Sequence, residues 1–147
     1  MSVKSFAAQI FARLVHAQTQ KWAQNPEATQ KRIFEQLIEQ ASQTVFGQDH
    51  HFEQIKTYDD FAQKVPVRDY EALRFYIDQT VSGKENITWP GKPLYYAKTS
   101  GTTSGAKYIP ISKESMPHHI QAARNAILAY VYQTGKSDFV DGKMIFL

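Results

Sequence analysis

Apolar residues recur at helical spacing through the first half of the chain and give way to short aromatic runs in the second. Phe6, Ala7, Ile10, Phe11, Leu14 and Val15 fall three and four residues apart, which predicts a first helix with one apolar face. Asn25-Pro26-Glu27 reads as an N-cap, a proline at the first helical position and an acid in the first turn. The helix it opens is expected to bury Ile33, Phe34, Leu37, Ile38, Ala41 and Val45, with Gly47 stopping it in the left-handed conformation.

Thr57-Tyr58-Asp59-Asp60 has the spacing of a capping box and predicts a short helix that Pro66 ends. A further helix is expected from about Asp69 to Val81, with Tyr70, Leu73, Phe75, Tyr76 and Ile77 as apolar bulk and Gly83 as its stop. Trp89-Pro90-Gly91-Lys92-Pro93 predicts a turn or loop. Leu94-Tyr95-Tyr96-Ala97 and Tyr108-Ile109-Pro110-Ile111 read as strands on either side of a loop. Ser112 then caps a long helix to about Gln133, with Met116, Ile120, Ala123, Ile127 and Val131 as its stripe and Gly135 closing it. Lys143-Met144-Ile145-Phe146-Leu147 reads as a buried strand inside which the sequence stops, so a truncated domain is expected.

Composition narrows the class. The 147 residues are 42% hydrophobic and 21% charged, the balance of a globular chain, and nine Phe, eight Tyr and two Trp supply bulk for a core. With no Cys, disulfides and thiolate metal sites are excluded, which suits a reducing compartment, and a cytoplasmic location is the expectation. A net charge of +3 is too weak to argue for nucleic acid, and no run of about 18 apolar residues argues for a membrane span. Residues 1–26 carry Lys4, Arg13 and Lys21 and no acid, like a transit peptide, but Gln-rich, Ser-poor composition fits that badly. His50-His51 and His118-His119 are adjacent pairs whose rings diverge, so no metal site is expected.

The chemistry concentrates at Thr99–Lys107. Thr99, Ser100, Thr102, Thr103 and Ser104 offer hydroxyls, and Gly101 and Gly105 let the backbone approach a ligand. Successive backbone N–H groups form an anion-binding concavity, and Lys107 adds a positive charge. A polyphosphate needs that combination. The Walker pattern fails here, because Ala106 separates Gly105 from Lys107 and Tyr108 stands where Ser or Thr would hold magnesium. The dinucleotide G-x-G-x-x-G pattern fails as well. A Ser/Thr-rich surface turn needs neither two glycines nor a terminal lysine between strands.

This loop resembles the phosphate loop of the adenylate-forming superfamily, with departures at Ser104, at the missing proline before Lys107 and at Tyr108. Lys98–Gly105 followed by Lys107-Tyr108-Ile109-Pro110 is similar to the auxin-responsive acyl-acid-amido synthetases of the Gretchen Hagen family and their bacterial relatives. Upstream, Thr44-Val45-Phe46-Gly47, Asp60-Phe61, Val65–Glu71, Tyr76-Ile77 and Gly83 are similar in order and spacing, and the likeness covers roughly residues 30–147, including the Asp141-Gly142-Lys143 stretch.

The resemblance implies an α/β fold. The chain would be the N-terminal portion of a larger adenylating (acyl-activating) domain, helical over 1–88 and strand-loop-strand-helix-strand over 94–147. It also implies chemistry: an acid attacks the α-phosphate of MgATP, and an amino acid takes up the acyl group. Ser100, Gly101, Thr102, Thr103, Ser104 and Gly105 would hold the β- and γ-phosphates, with Lys107 as a supplementary charge and Mg2+ carried by the nucleotide. The helix after the loop would help line the acyl pocket, with Met116, Ile120 and Arg124 near one face. Arg124 there is either a partner for the substrate carboxylate or a solvated surface charge. An acyl-CoA-type ligase and a non-catalytic phosphate-binding module are the alternatives, and 1–147 alone is expected to turn nothing over.

Overall fold

Hydroxyl and carboxylate side chains start four helices in the computed structural model, which describes residues 2–100 and 105–143. Ser2 caps α1 (Val3–Ala23), Thr44 caps α3 (Val45–Asp49), Thr57 caps α4 (Tyr58–Lys64) and Asp69 caps α5 (Tyr70–Val81). Each accepts a hydrogen bond from a backbone N–H of the first turn, which otherwise has no partner inside the helix. The Thr57–Asp60 capping box forms in full. α2 (Pro26–Ala41) begins at its proline, but Asn25 does not cap it. The Asn25 amide instead donates to the Lys21 carbonyl at 3.4 Å.

Two strands, β1 (Tyr95–Thr99) and β2 (Lys107–Ile111), pair antiparallel, with Tyr95 opposite Ile111 and Thr99 opposite Lys107. A long helix, α6 (Ser115–Thr134), and two 3-10 turns (Phe52–Gln54 and Asp138–Asp141) complete the described elements. The fold is a helix-rich α/β arrangement with a small two-stranded sheet among the described residues. The strand expected over 143–147 lies outside the described residues beyond Lys143.

Residues 1–29 and 117–147 form one compact unit and residues 30–116 a second. In the first, Ala12 and Val15 of α1 pack with Leu128 and Val131 of α6. The α1 face expected to be buried is largely exposed: Phe6 keeps 53% of its surface and Leu14 60%. The buried side carries Ser5, Ala12 and Val15, because small side chains admit close approach. Ser5 hydrogen-bonds Ser137, and Gln9 donates to the Gly135 carbonyl at 3.0 Å. The expected α6 stripe is corrected in the same way. Val131 is buried with Leu128, while Ile120 and Ala123 are exposed.

In the second unit, Ile38, Ala41, Phe52 and Ile55 form the core, with Phe34, Phe46, Phe61, Val65 and Trp89 against them. Ile33 and Leu37, expected inside, are exposed. Gly47 is the clearest correction, for it ends no helix. It sits buried inside α3, where a side chain would collide with the Ala41 carbonyl oxygen and stand 3.1 Å from the Ser42 Cα. Its smallness serves a close backbone approach, not a left-handed turn. Gly83 and Gly135 do take positive φ, 90° and 69°, just past α5 and α6.

Candidate functional site

Thr99 ends β1 opposite Lys107 at the start of β2, and α5 holds the returning strand. The Tyr70 hydroxyl accepts the Tyr108 N–H at 2.8 Å and lies 3.5 Å from the Tyr108 carbonyl. The Lys107 ammonium stands 5.4 Å from the centre of the same Tyr70 ring. A cation over an aromatic face is attracted by the ring quadrupole, so Tyr70 fixes both the strand and the direction of Lys107. The three residues needed for this lie in two separate stretches, 38 positions apart.

Of the expected phosphate-binding residues, Ser100 is exposed just beyond β1 and Lys107 is half-buried at the start of β2. Gly105 is exposed at φ 84°, with no atom of the described residues beyond its chain neighbours within 4 Å of where a Cβ would stand. That conformation is cheap only for glycine, and the open space leaves its backbone free to face a ligand. Gly101, Thr102, Thr103 and Ser104 lie outside the described residues. Thr99 and Lys107 are opposite one another in the register, so the hairpin brings Ser100 and Lys107 to one end of the sheet.

The expected acyl-pocket residues all fall on α6. Met116 is half-buried, while Ile120 and Arg124 are exposed. The Arg124 guanidinium stacks 5.3 Å from the Phe11 ring centre and donates to the Asn125 side chain. Just ahead of α6, Trp89 donates its indole N–H to Glu114 at 3.0 Å. The Glu114 backbone amide, then Trp89 and Ser112, hold that carboxyl below its usual range.

Two features of the second unit were not anticipated. One is a buried polar cluster. His50 Nδ1 is 2.7 Å from the Phe46 carbonyl, and Arg68 Nη1 is 2.7 Å from His50 Nε2. A carbonyl only accepts and a guanidinium only donates, so Nδ1 is the donor to Phe46 and Nε2 the acceptor from Arg68. Beside it the Tyr76 hydroxyl donates to Asp49 at 2.8 Å, and burial, reinforced by the Asp49 carboxylate, pushes that phenol above its ordinary value. The second is an apolar cavity of about 400 Å³ walled by α3, α5, the 87–93 loop and β2. Its only advance signal was the proline- and tryptophan-bearing turn at 89–93. Among the described residues no three His, Cys, Asp or Glu side chains are grouped to hold a metal ion.

Residues 15–147 match the GH3 family N-terminal domain. The chain belongs to the GH3 family. The match confirms the Gretchen Hagen resemblance and extends it upstream, into α1. GH3 members are generally acyl-adenylate-forming enzymes, so membership places the chain in a family of acyl-acid-amido synthetases. A search of curated proteins gave no match. No helix among the described residues is long and apolar enough to cross a membrane.

Proposed function

We propose that this GH3 chain supplies the nucleotide-phosphate end of an ATP-dependent acyl-acid-amido synthetase. Ser100–Gly105 at the hairpin tip cradles the β- and γ-phosphates of ATP, with Mg2+ carried on the phosphate oxygens, and Lys107 adds charge. A carboxylic acid attacks the α-phosphorus, pyrophosphate leaves, and the acyl group passes from the adenylate to an amino acid's amine. The work assigned to these residues is positioning and charge stabilisation.

The observation that carries this reading is the anchoring of Lys107 and β2 on Tyr70, at the root of a glycine-bearing tip. A tip whose root is pinned presents its backbone N–H groups without first ordering the strand beneath them. Gly105 supports it further, having both a positive φ and open space on its Cβ side. Arg124 is proposed to meet the acid's carboxylate, with Met116 and Ile120 along the acyl group. The match to an N-terminal domain supports a larger adenylating domain of which 1–147 is one portion, and the absence of Cys suits the reducing cytoplasm in which we place it.

ATP–pyrophosphate exchange by the full-length protein across a panel of carboxylic acids tests this reading. Acid-dependent exchange, followed by amide formation with amino acids, is the expected result. Folded protein that exchanges with none of the acids overturns it.

A further inference from the structure

The cavity between α5, the 87–93 loop and β2 plays no part in the proposed reaction. It measures about 400 Å³, within the range of small-molecule sites. Phe46, Tyr76, Ile77, Ile87, Trp89 and Pro110 are among the residues of its wall, and Tyr76 is the one ionisable residue that lines it among the described residues. The Tyr76 phenol is kept protonated by burial and its proton is committed to Asp49. Three of the other donors are also engaged. Thr80 donates to the Ile77 carbonyl at 2.8 Å, Ser115 to the Ser112 carbonyl at 3.1 Å, and the Trp89 indole to Glu114.

We propose that this cavity is a binding site for a neutral, apolar small molecule carrying an aromatic ring. The lining offers a charged ligand no counter-charge, and burying an unpaired charge is costly. Aromatic walls on several sides suit a flat ring, which prefers edge-to-face or offset contact. Pro90, Pro93 and Pro110 fix backbone on two of the walls, so little ordering is left to be done on binding. This is distinct from an acid-binding role, which requires a cation that the lining lacks.

Toluene and benzoate separate the two, being alike in size and different in charge. Methyl NMR of the full chain reads the Leu73, Ile77 and Ile87 signals during titration with each. Toluene is expected to shift these signals saturably, with intermolecular NOEs to Ile77 and Ile87, while benzoate leaves them in place. Leu73→Phe fills the cavity and weakens toluene binding by about tenfold or more. Absence of shifts and NOEs with toluene overturns the proposal, and so do equal shifts with benzoate. The wild-type NOEs decide the matter even where L73F does not fold. Adenylation activity enters nowhere, so failure here is separate from failure of the synthetase reading.

Discussion

One hydroxyl, that of Tyr70, is hydrogen-bonded to the N–H of Tyr108 and so ties helix α5 to strand β2. Removing it with Tyr70→Phe keeps the ring under Lys107 and leaves the Tyr108 amide unpaired. The expected cost is about 1 kcal/mol. Denaturant unfolding measures the loss, and hydrogen exchange locates it. The Tyr108 amide should exchange faster while α2 amides keep their protection. Uniformly faster exchange, with Tyr108 no different from the rest, would show that the bond pins nothing.

Gly47→Ala tests the close approach in α3. A helix-interior Gly→Ala change ordinarily stabilises by about 0.5–1 kcal/mol. Here the sign should reverse, because the added methyl meets the Ala41 carbonyl, which is backbone and has little room to give. A loss of about 2 kcal/mol or more is expected by thermal or urea melting, in line with overpacking elsewhere. An unchanged or raised melting temperature would show that the backbone around Ala41 relaxes freely.

Lys107 separates charge from packing at the hairpin. In the full-length protein, Lys107→Ala should lower acid-dependent pyrophosphate exchange by about 10–100-fold. Lys107→Arg should recover part of that loss, since it restores the charge and can still stack on Tyr70. Equal activity in all three proteins removes Lys107 from the phosphate site.

The capping box gives a pH signature. The Lys56 N–H, the Thr57 hydroxyl and the Thr57 N–H hold the Asp60 carboxyl below its ordinary value of 3.8, in that order of effect. A depressed folded-state value means that the stabilisation is complete above about pH 4–5 and is lost as pH falls through the folded value. Asp60→Asn should therefore be less stable than wild type at pH 7, with the gap narrowing below pH 3.8. A gap that is flat from pH 7 to pH 2.5 would deny the carboxylate its part.

Local signals in the sequence carried far because their physics is local. A capping box closes within three residues, and the stops at Gly83 and Gly135 depend on one φ each. Periodicity placed Val15 of α1 inside correctly but also turned Phe6, Ile10, Phe11 and Leu14 inward, and these are exposed. Ser5 is buried by pairing with Ser137, and nothing near Ser5 announces a partner 132 positions away. Gly47 failed for the same reason, since its neighbour is the end of the previous helix and not its own turn. At the site, the run of glycines and hydroxyls marked the hairpin tip. Tyr70, which orients Lys107, was read only as apolar bulk.

The Ser5–Ser137 pair, with Gln9 on Gly135 and Ser2 on Asp141, also sets an order of events during synthesis. Residues 30–116 contain all the partners of their own core and can condense as soon as they emerge from the ribosome. Helix α1 precedes them in the chain yet waits for Leu128, Val131 and residues 135–141, so Ala12 and Val15 stay bare until these are made. Long-range closure of this kind is slow and leaves apolar surface open to chaperones and to aggregation in the meantime.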